Sequence, residues 1–246
     1  MKKLSWNEAE ETLDTLFGGR LRILQKKSGY RFSIDALLLA HFADPHPEDR
    51  IIDLGTGCGV MPLIIAFRRK KGKITGVEIQ PSLADLARRN ATLNRLSTRI
   101  KILEKDLRDL EGKNLGGIFD LVLSNPPYRR IGAGRVNPCL EKALARHEFK
   151  ATLQDVLRAA QNLLGKKGRL AMIYPASRAA ELIQEMRQFH LEPKRLQFVH
   201  SHLKEEARLM MVEGFKEGRA QVRVLPPLIL YDSVGNYTPE AREFFH

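Results

Sequence analysis

Cysteine is scarce in this chain of 246 residues, where Cys58 and Cys139 are the only two. Two thiols exclude a disulfide framework and a thiolate zinc site. His200 and His202 lack carboxylate or cysteine partners at ligand spacing, so no protein-held metal is expected. Also missing is any run approaching the ~18 to 20 consecutive apolar residues of a membrane span. Met1, Lys2 and Lys3 lead into the polar stretch WNEAEETLD rather than an apolar signal core, and a cytoplasmic location is the expectation. Internal repeats, low-complexity tracts and linkers are absent as well.

What is present is positive charge: 41 Lys and Arg against 29 Asp and Glu, a net +12. Such a balance favours a polyanionic partner without identifying one. Its distribution is uneven. Residues 51–100 hold nine basic and three acidic side chains, whereas residues 201–246 hold six basic and seven acidic. The run RRKKGK (68–73) reads as a solvated helix end, where cations suit the helix dipole.

Short β-branched runs alternate with helix-length segments: RIIDLG (50–55), KITGVE (73–78), RIKILEKD (99–106), IFDLVLS (118–124) and GRLAMIY (168–174). Between them lie amphipathic stretches such as PSLADLARRNATLN, and TLQDVLRAAQNLL with Leu153, Val156, Leu157, Ala160 and Leu164 on one face. This alternation predicts an α/β fold, a doubly wound and mostly parallel sheet with both faces covered. After a helix around 178–189, RLQFVH and RLMMVEG suggest antiparallel closing strands. At the other end LRILQ, GYRF and a helical SIDALLLAHFA form an N-terminal cap. The expected organisation is a cap over residues 1–45, integral to the fold, and a main domain over 46–246.

The first parallel strand runs into Asp53-Leu54-Gly55-Thr56-Gly57-Cys58-Gly59 and then the apolar helix VMPLIIAF. Gly55, Gly57 and Gly59 let the backbone turn tightly and approach a ligand at the carboxyl edge of the sheet, where doubly wound folds bind nucleotides. The spacing is not the dinucleotide G-x-G-x-x-G. The acidic Asp53 ahead of it suits a ligand carrying an ammonium or sulfonium group better than a pyrophosphate. Glu78 ends the second strand about twenty residues on, in position to accept hydrogen bonds from ribose hydroxyls. Asp106 follows the third strand, where it can meet an adenine amino group.

These residues resemble the class I S-adenosylmethionine-dependent methyltransferases. That resemblance implies a Rossmann-like sheet of seven strands with the last antiparallel, the glycine loop against the methionine part of the cofactor, Glu78 on its ribose and Asp106 near its adenine.

The fourth strand ends in Asn125-Pro126-Pro127-Tyr128. Prolines have no N–H to continue a ladder and push the preceding residue into extended geometry, which makes the segment a stiff bracket. Asn125 Oδ1 and the Pro126 carbonyl are two fixed acceptors, and Tyr128 offers a planar face. Together they fit a planar group bearing an NH₂, with both N–H bonds accepted and the nitrogen lone pair turned toward a methyl donor. The motif resembles that of amino-methyltransferases acting on adenine, cytosine or a protein glutamine.

GYRFSIDALLLAHFA (29–43), IIDLGTGCGVMPLIIA with GVEIQ, and SNPPYRR followed by Ala145-Arg146-His147-Glu148 together resemble the bacterial valine-tRNA adenine-N6 methyltransferase family over nearly the whole chain. Cys58 stands where Ser or Ala is commoner in that family. The resemblance implies tRNA as partner and a segment 29–35 folded over cofactor and base. In that segment Tyr30 and Phe32 would supply aromatic surface and Arg31 a phosphate or carboxylate contact. Arg129, Arg130, Arg135, Arg146 and His147, on or beside the loop after the bracket, would grip RNA backbone around a splayed-out base. Core packing is the competing role for Phe32, and an ordinary structural one for His147.

Overall fold

The computed structural model describes residues 6–28, 31–115, 117–126 and 151–245. The chain opens with an antiparallel hairpin, β1 (Glu11–Leu16) and β2 (Leu21–Lys26), followed by α1 (Ile34–Phe42). The alternating unit then follows: β3 (Ile51–Leu54), α2 (Val60–Arg68), β4 (Ile74–Glu78), α3 (Pro81–Leu93), β5 (Ile100–Glu104) and β6 (Phe119–Ser124). Beyond residue 150 come α4 (Leu153–Leu163), β7 (Leu164–Pro175), α5 (Ala179–Gln188), β8 (Leu191–His200) and β9 (Ala207–Lys216). The two-residue strands β10 (Arg223–Val224) and β11 (Leu228–Ile229) and the short α6 (Pro239–Arg242) end it.

The main sheet runs β10-β8-β9-β7-β6-β3-β4-β5, with β11 also paired to β8. All its pairings are parallel except those of β9, which is antiparallel to both neighbours. Among the described residues, seven long strands are therefore accompanied by two short ones that the sequence reading did not anticipate. Two residues cannot display an alternation, and Pro226 and Pro227 lie between β10 and β11. The antiparallel member is the last long strand in sequence, inserted between β7 and β8.

Strand residues alternate between two cores. Ile51, Leu121, Leu123, Ala171 and Ile173 join the cluster covered by α1, α2 and α3. Ile52, Leu54, Val122, Leu170 and Met172 face the other cluster, under α4 and α5. This arrangement is the doubly wound packing of a parallel sheet. α4 starts at a capping box in which Thr152 Oγ1 accepts from the Asp155 N–H at 3.1 Å and Asp155 accepts from the Thr152 N–H at 2.9 Å. Leu164, assigned to the helix face by its spacing, is instead the first residue of β7.

Strand β1 has no counterpart in the sequence reading, because its residues are half polar. It exists by pairing along its whole length with β2, whose apolar Leu21, Ile23 and Leu24 are buried. The cap is fastened at its far end as well. Arg169, the β7 residue paired with Leu121 near the start of β6, holds Asp49 at 2.7 Å and Glu213 at 2.8 Å, and Arg195 lies 4.3 Å above the Phe42 ring. The end of α1 thus sits at the amino edge of the sheet, and its start, Ser33 to Asp35, lies toward the carboxyl edge.

Candidate active site at the carboxyl edge of the sheet

Strand register brings the candidate residues together. Leu54 pairs with Ser124 across β3 and β6, Leu54 with Val77 across β3 and β4, and Glu78 with Glu104 across β4 and β5. One residue further on, Asn125 and Gly55 leave adjacent strands about 4.8 Å apart, with Glu78 beside Gly55 on the other side. Ser124 is fully buried, and its hydroxyl donates to the Leu54 carbonyl at 3.2 Å, tying the two strand ends at this point. Asn125 is half-buried and Pro126 buried. Tyr128, Arg129, Arg130, Arg135, Arg146 and His147 lie outside the described residues, as does Tyr30.

The loop between β3 and α2 takes left-handed backbone at each glycine, with φ of 77° at Gly55, 57° at Gly57 and 82° at Gly59. A side chain at Gly59 would also meet Ala87 Cβ at 3.0 Å, because α2 and α3 cross closely there. Gly55 faces open space, so a ligand can lie directly against its backbone. The Val77 carbonyl accepts from both the Gly55 and Thr56 N–H groups at 2.9 Å, anchoring the loop to β4.

Asp53 is completely buried, and neither carboxylate oxygen has a hydrogen-bond partner among the described residues. Burial raises its pKa to about 7 and the Glu78 charge adds to the rise, while the nearby Thr56 hydroxyl, short of hydrogen-bond geometry, opposes it. Glu78 is also shifted upward, chiefly by burial and against the backbone hydrogen bonds it accepts. Its two oxygens take the Gly57 and Gln80 N–H groups, each at 2.9 Å, so it organises the glycine loop with lone pairs to spare. Asp106, the residue expected to meet an adenine amino group, follows β5. It caps the turn Leu107–Asp109 by accepting the Arg108 N–H at 2.9 Å and pairs with the Arg108 guanidinium, whose hydrogen bond holds its carboxyl below the usual range.

The N-terminal segment reaches the same loop. Arg31 is engaged within the protein: its guanidinium donates to Thr12 Oγ1 and Asp14 at 2.8 Å and to the Lys26 carbonyl at 3.1 Å. Its ion pair in this structure is with the Asp14 carboxylate. Phe32 donates its N–H to Gln25 Oε1 at 2.9 Å and packs partly against the core, between the two roles open to it. Arg31 and Asp14 lie close enough to influence the buried Cys58 thiol, which burial pushes up to about 12. The cap thus stands over the glycine loop.

Residues that the sequence reading missed join these parts. Asn90 and Asn94, one turn apart on α3, bind the backbone of β2 along its outer edge at Leu24 and Arg22. Asn90 was recognisable as a polar side chain within the apolar stripe of α3, between Leu86, Ala87 and Ala91. Gln25, Asp14 and Thr12 carried no such signal, since hairpin residues gain meaning only once the strands pair.

An orphaned buried carboxylate, a glycine backbone open to a ligand and a carboxylate with free lone pairs one strand away fit a cofactor with a cationic amino acid portion and a ribose. The fold and the site together define a class I S-adenosylmethionine-dependent methyltransferase. The model of the methyltransferase small domain family matches residues 33–199. A tRNA1(Val) (adenine(37)-N6)-methyltransferase of Porphyromonas gingivalis is 32% identical over 229 residues, 90% of this chain and 89% of that protein. One of the same name from Aeromonas salmonicida is 34% identical over 61% of each chain. The chain belongs to the tRNA1(Val) (adenine(37)-N6)-methyltransferase family within the small-domain methyltransferases. Among solved structures, a predicted O-methyltransferase of Agrobacterium tumefaciens superposes with a TM-score of 0.68 at 26% identity, covering 85% of this chain and 94% of that one. The geranyl diphosphate C-methyltransferase of Streptomyces coelicolor, solved with S-adenosyl-L-homocysteine, shares the fold at a TM-score of 0.53 and 14% identity, over 74% of this chain and 76% of that one.

Proposed function

We propose that this protein methylates the exocyclic N6 amine of an adenine in tRNA, adenine 37 of a valine tRNA being the specific target, and that it works in the bacterial cytoplasm. The observation that carries the reading is the register placing Asn125 next to Gly55, which sets an amide acceptor beside the cofactor loop. The names of the Porphyromonas and Aeromonas relatives support the choice of tRNA, as does the net charge of +12.

Bound S-adenosylmethionine supplies an electrophilic methyl group on a sulfonium centre. Asp53 accepts the cationic amino acid portion, Gly55, Gly57 and Gly59 bring backbone against it, and Glu78 takes ribose hydroxyls while retaining the Gly57 N–H. Asn125 Oδ1 and the Pro126 carbonyl accept the two N–H bonds of the adenine amine, and Tyr128 stacks on the ring. An aromatic amine is a poor nucleophile because its lone pair is delocalised into the ring. Holding both hydrogens favours a more tetrahedral nitrogen, and alignment then accounts for much of the rate. The proton lost from nitrogen goes to solvent, and no side chain is assigned as a general base. Residues 1–45 act as a cap carrying Phe32 over the site, and residues 46–246 carry the transfer. Arg129, Arg130, Arg135, Arg146 and His147 are assigned to the RNA backbone around the target.

The test is transfer of labelled methyl to unmodified tRNA, with mass spectrometry of nucleosides from RNA and DNA and of peptides from ribosomal protein incubated in parallel. N6-methyladenosine in tRNA alone is the expected product. Asn125→Ala lowers kcat on the order of a hundredfold or more and leaves cofactor affinity nearly unchanged. Undiminished turnover in that variant removes Asn125 from its role, and methylation of glutamine or DNA instead of tRNA replaces the substrate.

A further inference from the structure

Away from the catalytic edge, the end of α2, the turn of the β1–β2 hairpin and the end of α3 enclose a hollow of about 320 Å³. Arg20, Phe67, Arg69, Lys70, Asn94 and Arg99 line it. Arg99 donates to the Ala66 and Arg69 carbonyls and to that of Lys71, each at 2.8 Å, which neutralises the negative end of α2 and fixes the RRKKGK loop as one wall. Arg20 lies 5.3 Å over the Phe67 ring, itself stacked on Phe17 at 4.9 Å.

No carboxylate is among the described residues that line this hollow. Several arginines elsewhere are matched with carboxylates, as in Arg31 with Asp14, Arg89 with Glu11 and Arg178 with Glu181. Among the described residues, Arg22, Arg69, Lys70, Lys71, Arg95 and Arg99 make no ion pair with any carboxylate. Arg69 binds the His46 and Pro47 carbonyls through one nitrogen, while its other two guanidinium nitrogens are buried without an acceptor. A hollow lined by Arg20, Arg69, Lys70 and Arg99 and by no carboxylate suits an anion with several oxygens. A solvated helix end accounts for exposed lysines such as Lys71, but not for this enclosure.

Resting on the tRNA reading above, we propose that this hollow takes a backbone phosphate of the substrate tRNA, well away from the methylated base. β2 runs from Leu21 at the hollow to Lys26, whose carbonyl holds Arg31 near the cofactor loop. Five residue steps at about 3.3 Å each separate the two places by roughly 16 Å. Consecutive phosphates along one duplex strand advance only about 3.4 Å, so the bound phosphate lies several base-pair steps from the target. It belongs to the stem or body of the tRNA, and this second grip distinguishes a whole tRNA from an isolated loop.

The experiment compares the wild type with Lys70→Glu/Arg95→Glu, two side chains that are exposed and hold no backbone carbonyl. Methyl transfer is measured on full-length unmodified tRNA and on its anticodon loop as a single-stranded oligonucleotide without the stem, with direct tRNA binding measured at several salt concentrations. On full-length tRNA the variant raises KM on the order of tenfold with kcat little changed, and flattens the dependence of log K on log salt by about 1 per lost phosphate contact. On the loop oligonucleotide the two proteins match. Equal KM on full-length tRNA overturns the proposal, as does an equal loss on both RNAs, which would put the effect at the loop. If the wild type methylates neither RNA, the reading of the reaction fails, and direct binding still decides the phosphate site: equal tRNA affinities of wild type and variant overturn it.

Discussion

Asn90 of α3 pairs with both backbone groups of Leu24 in β2, accepting its N–H at 2.7 Å and donating to its carbonyl at 2.9 Å, so that one side chain does what a neighbouring strand would do. The same amide also donates to the Cys58 carbonyl at 2.9 Å. The cap and the cofactor loop are thus held by one fully buried residue.

Replacing Asn90 with Ala removes three hydrogen bonds and leaves buried backbone groups unsatisfied. Stability falls by about 3 kcal/mol on the usual cost of such groups. Denaturant unfolding reads the loss, and calorimetry on the folded variant shows weaker S-adenosylmethionine binding, because the Cys58 turn is released. Asn94→Ala, whose partner Arg22 is exposed, costs much less and leaves cofactor affinity intact.

Asp53 makes cofactor binding depend on pH. Its pKa without ligand is raised to about 7, and the ionised form is the one that accepts a cation. Affinity for S-adenosylmethionine therefore falls as pH drops below 7, approaching tenfold per unit, and Asp53→Asn abolishes this dependence while binding more weakly at pH 8. Stability carries the opposite sign. A folded pKa above the unfolded value of about 3.9 means that the Asp53 contribution is fully present below pH 4 and is lost as pH rises through 7. The Asp53→Asn protein lacks that component in the difference between thermal unfolding curves at pH 4 and pH 8.

Arg169 is buried between Asp49 and Glu213, and it also reaches the Ala43 carbonyl at 3.4 Å. Arg169→Met leaves the partly buried Asp49 without its ion pair and the buried Glu213 with Arg195 alone, at 3.3 Å, and destabilises the fold by about 3 kcal/mol. The double replacement Arg169→Met/Asp49→Asn recovers part of that loss, since it removes the carboxylate charge left uncompensated. Chemical unfolding of the three proteins checks both statements, and a double variant as unstable as Arg169→Met alone contradicts the second.

The parallel core was legible because its signals are local. β-branched runs bounded by glycine and separated by amphipathic helices specify buried strands, and Asp53, the three glycines and Glu78 sit at strand ends where a ligand site forms by construction. Strand β1 was not legible, since its half-polar residues become a strand only against β2. Nor were β10 and β11, which are too short to carry a period.

Composition and local pattern alone determined the doubly wound class, the glycine loop and the bracket at Asn125. Tertiary packing decided what each charge does. Arg31 and Asp106, free-looking in the sequence, pair with Asp14 and Arg108, while among the described residues Asp53 is left without a hydrogen-bond partner and Arg69, Lys70 and Lys71 without an ion pair. Electrostatic roles depend on which groups lie within a few ångströms and how much water separates them, and residues such as Asn90 and Leu24, 66 positions apart, meet only when the chain folds.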